Sequence, residues 1–410
     1  MSESTQTNTI DDLLGGLFSP AYIDNPYPLL QKIREFDPFF YIPAGDNWIV
    51  TSYSYTTQIL RDKRFGHDYE ANMKRNRGID VFENSAFRML SNTMLMKDPP
   101  DHKRIRELAV KAFGAAKINE MQPQIQEIVD QLITDLKKSD SGDLMSMFAF
   151  KLPVIVICSM LGVPKTDWAR FMDNSNISGR LIDPTPLTDE ELRLENDSAD
   201  ESNAYFEDLC AKRRQKPEND LITALVMAET EEGRLSRDEL TSNIVLLFGA
   251  GHETTVNLIG NGLLALHRNP AQLTKLKSSP ELMPNAVEEL LRYDSSVQIT
   301  GRTAMEDVDI DGHHVKAGQE VMTFLGAGNH DPEQFENPDK LDITREKIKP
   351  LSFGGGIHTC IGAQLSRIEA TVALNSLLAQ LPNLVLNAMD HPQWKPTITL
   401  RGLTTLPATW

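Results

Sequence analysis

A glycine-rich turn followed by a cysteine is the clearest chemical signal in this sequence. Residues 353–362 read FGGGIHTCIG, and the pattern predicts a helix over about residues 361–379, directly after Cys360. Consecutive glycines let a backbone come close to a flat ligand, and the N–H groups at a helix start stabilise a thiolate. The pattern therefore predicts that Cys360 acts as a thiolate, which can bind a metal or attack a substrate.

The other two cysteines carry no such signal. Cys158 and Cys210 lie in helical patterns and are interpreted as buried and inert, and a count of 3 cysteines does not suggest a disulfide framework. A cysteine hydrolase, with Cys360 as nucleophile and His358 as base, is one interpretation of the turn. Residues two apart on a turn rarely place an imidazole well for that role.

Two further pairs have the spacing of helix neighbours. Glu289 and Arg292 are three apart and can form a local ion pair, to which Arg345 from a distant segment can be added. His102 and Arg106 are four apart and therefore share one face of a helix.

A long helix is predicted to carry a second reactive group. Ser236 and Glu239 form a capping box ahead of an apolar run that can continue to Arg268, which gives roughly 48 Å of helix at the standard rise. The run is long enough to span a bilayer, but Glu253 and other polar residues lie in its middle, which favours a buried helix of a globular protein. A zinc motif is excluded because position 256 is valine.

Taken together, the motifs resemble those of the cytochrome P450 family. The similarity rests on the spacing Phe-x-x-Gly-x-x-x-Cys-x-Gly around Cys360, on Glu-x-x-Arg at 289–292 and on the acid–alcohol pair Glu253 and Thr254. It runs from about residue 25 to the C-terminus. One departure is His330, where the usual family pattern has arginine.

The resemblance implies the fold and the cofactor. We expect a mainly α protein with a small antiparallel β portion, forming a single domain over residues 1–410 with residues 1–20 as a loose lead-in. The cofactor is haem b, with Cys360 as the iron ligand and O2 as co-substrate. The residues expected around the haem are Cys360, His102, Arg106, Arg302, His358, Phe353, Gly356 and Ala250.

The remaining roles also follow from the resemblance. Glu253 and Thr254 are expected to control proton delivery, and Glu289, Arg292 and Arg345 to form a structural triad. The substrate pocket is expected to be lined by the segments 66–96 and 170–190 and by Leu246, Ala250, Val297, Gln298, Ile299, Thr300 and Leu400.

The function implied is a monooxygenase that inserts one atom of O2 into a C–H bond of a mainly hydrophobic small molecule. A polyketide or macrolide is the expected substrate, and a fatty acid or terpene is the alternative. A peroxygenase or cross-linking enzyme on the same scaffold, and a haem sensor or carrier without turnover, are further alternatives.

Partners and location are predicted from charge and from missing motifs. A separate ferredoxin or flavodoxin with its NAD(P)H reductase is expected, because no flavin or iron–sulfur motif is present. Lys103, Arg104 and Lys111 are one interpretation of its docking face, and an ordinary solvated helix face is the other. The net charge of −17 disfavours binding to nucleic acid or anionic membranes. The polar N-terminus predicts a cytoplasmic protein, which we expect to be a monomer.

The elements that must position these groups follow from periodicity. Residues 101–215 have a helical pattern with breaks at Gly114, residues 139–142, residues 162–164 and residues 183–186. A helix is predicted from Pro284 to Tyr293 and short strands over residues 297–324. Residues 66–93 have little periodicity and are predicted to be a long loop with one short helix.

Overall fold

The computed structural model describes residues 10–173, 179–232, 235–387 and 389–410, and most of these residues are helical. The α-helices are α1 Ile10–Gly15, α2 Pro20–Asp24, α3 Tyr27–Phe36, α4 Tyr53–Arg61, α5 Tyr69–Arg77, α6 Ser85–Ser91, α7 Asp101–Ala112, α8 Ala115–Glu120, α9 Gln122–Leu136, α10 Lys151–Leu161, α11 Trp168–Asp173, α12 Asp189–Gln215, α13 Leu221–Glu232, α14 Arg237–Arg268, α15 Pro270–Ser278, α16 Met283–Tyr293, α17 Leu325–Asn329 and α18 Ala363–Gln380.

The strands are short. They are β1 Phe39–Ile42, β2 Asn47–Val50, β3 Phe65–Gly66, β4 Ser141–Asp143, β5 Ile299–Ala304, β6 Val308–Ile310, β7 His313–Val315, β8 Glu320–Phe324, β9 Val385–Leu386, β10 Gln393–Trp394, β11 Leu403–Thr405 and β12 Pro407–Thr409. The prediction of a mainly α fold with a small β portion is confirmed.

The largest sheet has five strands in the order β1-β2-β8-β5-β3. Its pairs are antiparallel except β2 with β8, which run parallel with Trp48 beside Val321. The β portion is therefore mainly antiparallel, as expected, and the one parallel pair arises because the long connection between residues 50 and 320 lets the two strands enter the sheet in the same direction. Strand β5 carries Arg302, and its place in the sheet fixes the direction of that side chain.

Helix α14 is the central element, and its bounds agree with the prediction. It has 32 residues, and its capping box joins the hydroxyl of Ser236 to the backbone of Glu239 and the carboxylate of Glu239 to the backbone of Ser236. Nearly all of its residues from Leu240 to Leu266 are buried. Because apolar residues surround the whole circumference, the helix is stabilised by packing on all sides. Within the described part of the chain, no helix is both long and apolar enough to cross a membrane.

The loop predicted over residues 66–93 is instead largely helical, since it contains α5 and α6. In α5 only Met73 is buried, so the helix shows no apolar stripe that the sequence could reveal. Helix α1 also lies within the segment that was predicted to be a loose lead-in, and Leu13 and Leu17 bury their side chains against Leu30. Tertiary packing stabilises these short helices where local periodicity is weak.

Candidate functional site

The cysteine turn is tightly folded against the helices behind it. Gly356 has φ of +66°, and a Cβ there would collide with the carbonyl oxygen of Leu60, so the position requires glycine. The N–H of Cys360 donates to the carbonyl of Phe353 at 3.0 Å, which closes the turn. The guanidinium of Arg367, from α18, lies 4.5 Å from the ring centre of Phe353. The backbone of Cys360 is therefore fixed by hydrogen bonding and by stacking.

Cys360 is accessible, although protein atoms surround it on most sides. This burial raises the pKa of its thiol, and the N–H groups of Gly362 and Ala363 and the cations Arg106 and Arg367 oppose the rise. The helix start therefore favours the thiolate, as predicted, but burial outweighs it in the protein alone. A metal ion bound to the sulfur reverses that balance, because coordination deprotonates a thiol.

Four cation-forming side chains predicted to act together are brought together beside this turn. The rings of His102 and His358 are 4.3 Å apart. Arg106 donates to the carbonyl of Thr359, the residue before Cys360. Arg302 is 5% exposed and acts electrostatically on both histidines. Helix α7, strand β5 and the cysteine turn thus converge on one place.

Burial and mutual repulsion control the protonation of this cluster. Burial, then the neighbouring cations, lowers the pKa of His358 to about 2, and burial, then Arg106, lowers that of His102 to about 4. Burial lowers the pKa of Arg302 to about 10, against the pull of Asp98. Both histidines are therefore neutral near pH 7, and each can donate one ring N–H without adding charge.

His67 belongs to the same cluster, and the sequence analysis did not identify it as a site residue. Its ring meets that of His358 edge-on, with centroids 4.7 Å apart. It lies in the segment predicted to be a loop, directly after β3. A lone histidine in an aperiodic segment carries no motif, so no signal in the sequence alone could have singled it out.

The predicted charge triad is assembled behind the cysteine turn. Glu289 and Arg292 are 0% exposed and are joined by two hydrogen bonds of 2.8 Å, while Arg345 reaches Glu289 at 3.1 Å. Arg292 also donates to the carbonyls of Asn329 and Pro338. A buried charge is tolerated only when it is paired and hydrogen-bonded, as here. The triad ties α16 to the segment that leads into the cysteine turn.

The middle of α14 exposes the small residue Ala250, directly after the buried Gly249. Thr254, one turn later, is partly exposed and donates to the carbonyl of Ala250 at 3.2 Å. Glu253 points elsewhere, because its carboxylate pairs with the ammonium of Lys395 at 3.0 Å. Thr255, which follows Thr254, donates from its hydroxyl to the hydroxyl of Ser366 on α18 at 3.1 Å. The predicted acid and alcohol are thus adjacent in sequence but have different partners.

The expected pocket residues fall into two groups. Leu246, Val297 and Thr300 are partly exposed, and Leu400 is buried but forms a bridge with Val297. These four remain candidate lining residues, together with Ala250.

Two other residues of the expected pocket, Ile299 and Gln298, are buried and make contacts inside the fold. Ile299 packs into the apolar cluster of Leu13, Leu17 and Leu30, because successive residues of a strand face opposite sides. The amide of Gln298 donates to Ser295 and to Tyr27 and is itself buried, so its N–H groups are used inside the fold.

A buried carboxylate joins two segments on the pocket side. Asp183 is 0% exposed and accepts hydrogen bonds of 3.0 Å from the backbone N–H groups of Ile398 and Thr399. Its other oxygen accepts from the N–H of Thr185 and pairs with Arg180. The segment 179–186 is therefore fastened to the segment 394–402, which carries both Leu400 and Lys395. Residues 174–178, also expected near the pocket, lie outside the described residues.

The unusual His330 has its own partners. Its Nε2–H donates to the carbonyl of Tyr293 at 2.8 Å, its Nδ1 lies 3.0 Å from the carboxylate of Asp339, and its ring stacks on Tyr27 with centroids 3.8 Å apart. Arg34, from α3, donates to the carbonyl of His330. The departure from the family pattern is therefore accommodated in the local packing.

The proposed docking cations are largely engaged. Arg104 donates to Glu239 at 2.6 and 2.9 Å and to Asp101 at 2.8 Å, so its charge connects α7 to the start of α14. Lys103 lies 3.9 Å from Glu107, and Lys111 also has an interaction partner. The interpretation of these three residues as a docking face is not supported for Arg104. Its guanidinium is already paired with the largely buried carboxylate of Glu239.

The donor set fits a haem. A thiol on a glycine turn can bind the iron, and the cluster of His67, His102, Arg106, Arg302 and His358 lies beside it. The Nε2 atoms of His102, His358 and His67 are buried without a hydrogen-bond partner among the described residues. Buried donors and cations of this kind require an anionic acceptor, and the two carboxylates of a haem supply it.

Comparisons with known proteins agree with this reading. The family profile described as Cytochrome P450 matches residues 27–401. The chain is 40% identical to a putative cytochrome P450 133B2 of Xylella fastidiosa over 96% of this chain and 98% of that protein. It is 38% identical to the polyketide biosynthesis cytochrome P450 PksS of Bacillus subtilis over 93% of this chain and 95% of that protein.

A solved structure has the same fold. P450BioI, in complex with an acyl carrier protein that carries hexadec-9Z-enoic acid, superposes with a TM-score of 0.88 at 36% identity, over 96% of this chain and 100% of that chain. The profile, the relatives and the solved structure each cover nearly the whole chain. The chain therefore belongs to the cytochrome P450 family.

Proposed function

We propose that this protein is a haem-thiolate monooxygenase that uses Cys360 as the iron ligand and oxidises a hydrophobic small molecule of the polyketide or macrolide class. Membership of the family assigns haem b as cofactor, O2 as co-substrate and monooxygenation as the type of reaction. The single observation that carries the assignment to Cys360 is its place on the glycine turn, beside two arginines and three histidines whose buried Nε2 atoms have no partner among the described residues.

The protein supplies ligation and orientation. Arg106 and Arg302 each contribute a positive charge toward the two haem carboxylates, and His102 and His358 each contribute a neutral N–H. Phe353 and Gly356 shape the face of the turn that would meet the haem, and the small side chain of Ala250 would leave room for the group. When bound, the haem supplies the O2 activation and C–H oxidation that amino-acid side chains cannot perform, and the thiolate favours O–O cleavage.

Proton delivery is assigned to the middle of α14. The hydroxyl of Thr254, which donates to the carbonyl of Ala250, would hold and pass on a proton at this point of the helix. Glu253 is the carboxylate that refills the relay, and Lys395 positions it. This makes Lys395 a positioning residue for the acid, held on the same segment as the pocket residue Leu400.

The substrate assignment rests on the lining and on relatives. Leu246, Ala250, Val297 and Leu400 are apolar, and Thr300 adds one hydroxyl, which suits a mainly hydrophobic molecule with few polar groups. The relative PksS is described as a polyketide biosynthesis enzyme.

Fatty acyl chains are the second candidate class. They are supported by P450BioI with its hexadecenoyl carrier protein and by a myxobacterial relative in complex with myristic acid, the latter at a TM-score of 0.87 and 34% identity. A terpene is the third candidate class, and it is supported only by the apolar residues that are expected to line the pocket.

The redox partners, the oligomeric state and the location in the cell are proposed from membership of the same family. We assign electron supply to a separate ferredoxin or flavodoxin with its NAD(P)H reductase, and we propose that the chain works as a monomer with residues 1–410 as one unit in the cytoplasm. Neither nucleic acid nor a membrane is a proposed partner. Lys103 is an exposed cation of α7, with 77% of its side chain accessible, and is a candidate for docking.

The test uses haem-loaded protein, a surrogate ferredoxin and reductase, NADPH and isotopically labelled O2. Substrates are first chosen from macrolides, fatty acids and terpenes by their effect on the haem spin state. The proposal predicts a product that carries one labelled oxygen atom. Product formed equally well with hydrogen peroxide alone would favour the peroxygenase, and a spin-state change without any product would favour the sensor or carrier.

A further inference from the structure

The backbone of His67 is held in place from both sides. Its N–H donates to the carboxylate of Asp98 at 2.9 and 3.0 Å, and its carbonyl accepts from the hydroxyl of Thr303 at 3.0 Å. A Cβ at the preceding residue, Gly66, would lie 2.7 Å from the Asp98 carboxylate, so glycine permits this close approach. The turn is therefore built around a single position for His67.

The residue after His67 adds backbone strain. Asp68 has φ of +42°, in the left-handed region that residues other than glycine rarely adopt, and its N–H also donates to Asp98 at 2.8 Å. A strained conformation persists only where its surroundings enforce it, and such strain is common at binding sites. The local fold thus accepts an energetic cost to hold the imidazole where it is.

The side chain of His67 has an unused polar atom. Its Nε2 is buried and has no hydrogen-bond partner among the described residues, as is also true of Nε2 in His102 and His358. The three rings form a continuous row, with centroid distances of 4.7 Å from His67 to His358 and 4.3 Å from His358 to His102. Leaving one buried donor unpaired costs about 1–3 kcal/mol, so three in one row point to a shared acceptor.

Charge decides what that acceptor is. Arg302 and Arg106 act electrostatically on the histidines of this row, and Arg302 is the charge that, after burial, lowers the pKa of His67 most. The guanidinium of Arg302 is buried and that of Arg106 is partly exposed, and together they repel a metal cation and attract anions. Burial keeps the pKa of His67 well below its ordinary value, so the ring is a neutral donor. Two arginines then balance two carboxylates, and the histidines add hydrogen bonds without excess charge.

We propose that His67 is a further haem-binding residue, which donates a hydrogen bond from Nε2 to a haem carboxylate alongside His102, His358, Arg106 and Arg302. This inference rests on the proposed function, because it requires the cluster to hold a haem. Asp98 is a positioning residue for it, acting through the backbone of His67.

The first experiment measures haem retention. Ferric holoprotein is mixed with excess apomyoglobin, and the rate of haem transfer is followed for the parent and for His67→Leu, His67→Gln, His102→Leu and His314→Leu. A hydrogen bond to a charged group has a free energy that corresponds to roughly tenfold or more in rate. We expect about tenfold faster loss from His67→Leu and from His102→Leu. His314→Leu, whose ring is 81% exposed on the distant β6–β7 hairpin, is the control without an effect.

The glutamine variant separates hydrogen bonding from packing. The side-chain amide nitrogen of glutamine lies near the position of Nε2 in histidine and also donates. His67→Gln should therefore retain haem within about threefold of the parent, since it keeps a donor of similar reach. Equal losses from the glutamine and leucine variants would overturn the inference, as would a leucine variant that matches the parent.

A modified haem tests the acceptor directly. Apoprotein of the parent and of His67→Leu is reconstituted with iron protoporphyrin IX dimethyl ester, in which both carboxylates are masked. The difference in retention between parent and variant should then largely disappear, and an undiminished difference would overturn the inference. Failure of the proposed function has a separate readout, because a reduced carbon monoxide complex without a red-shifted Soret band would remove Cys360 ligation and leave the retention comparison intact. A parent that binds no haem would overturn both.

Discussion

Two regions of the molecule, here called the thiolate side and the pocket side, hold their polar groups in different ways. On the thiolate side, which comprises α16, the segment 338–345 and the cysteine turn 353–362, buried charges are neutralised by each other and by backbone carbonyls. On the pocket side, which comprises the segments 179–186 and 394–402 and the middle of α14, single carboxylates join segments that are distant in the chain. Asp183 reaches residues 215 and 216 positions away, and Lys395 reaches Glu253 across 142.

The two arrangements differ in the free energy that is lost when one of their contacts is broken. A buried ion network has few alternatives, since moving one member exposes the charge of the others. A fastening made of one carboxylate and two or three N–H groups can open locally at a smaller cost, because the freed groups can reach water. The thiolate side is thus suited to keeping the ligand fixed, and the pocket side to admitting a substrate.

The largest expected effect is on the thiolate side. Glu289→Gln leaves Arg292 and Arg345 without their buried counter-ion, which should lower the free energy of unfolding by about 3–5 kcal/mol. Its neighbour Glu288 pairs with Arg367 at a partly exposed site, so Glu288→Gln should cost only about 0–1 kcal/mol. Urea unfolding of the two holoproteins measures both changes. Equal costs would contradict the view that the triad is the anchor of this side.

A smaller effect is expected on the pocket side. Asp183→Asn removes one of the two oxygens that accept backbone hydrogen bonds, and it breaks the ion pair with Arg180. Stability should fall by about 1–3 kcal/mol, and hydrogen exchange should speed up at residues 394–402 and not around the cysteine turn. Asp200→Asn, at an exposed position of α12, should change stability by less than about 0.5 kcal/mol. Faster exchange spread over both sides would show that they are not separate.

Lowering the pH should destabilise the apoprotein more than the haem-bound protein, because of the histidine cluster beside the cysteine turn. The pKa of His102 is lowered, by burial first, from 6.5 to about 4, so between these values the unfolded chain binds a proton that the folded apoprotein does not. Stability of the apoprotein should therefore fall as the pH falls from 6.5 toward 4. The fall should be smaller in His102→Leu, and smaller in the holoprotein, because nearby carboxylates favour the protonated ring. Urea midpoints at several pH values give the slopes, and identical slopes would contradict this reading.

The smallest effect on stability is expected at the reactive helix. Thr254→Ala should change the free energy of unfolding by less than about 0.5 kcal/mol, since the side chain is partly exposed and alanine favours a helix. Product per NADPH should nevertheless fall by about tenfold, with a matching rise in peroxide release, because proton delivery is impaired. An unchanged yield of product would remove Thr254 from the relay.

Sequence patterns predicted the thiolate side better than the pocket side. Cys360, Glu289 with Arg292, and the caps of α14 are local motifs, in which spacing of three to ten residues specifies the contact. Other contacts join residues that are far apart in the chain, and spacing does not encode them. They are the hydrogen bonds of Asp183 to residues 398 and 399, the ion pair of Glu253 with Lys395, and the ring contact of His67 with His358. The misassigned segment 66–93 has the same origin, because α5 buries only Met73.

The central claim is that Cys360 provides the thiolate ligand of the haem. The most direct test is the carbon monoxide difference spectrum of the dithionite-reduced protein, compared with Cys360→Ser and with Cys158→Ser as the control for a buried cysteine that has no role at the site. The account predicts a red-shifted Soret band in the parent and in Cys158→Ser that is lost in Cys360→Ser. A band typical of imidazole ligation in the parent, or a red-shifted band that survives in Cys360→Ser, would contradict it.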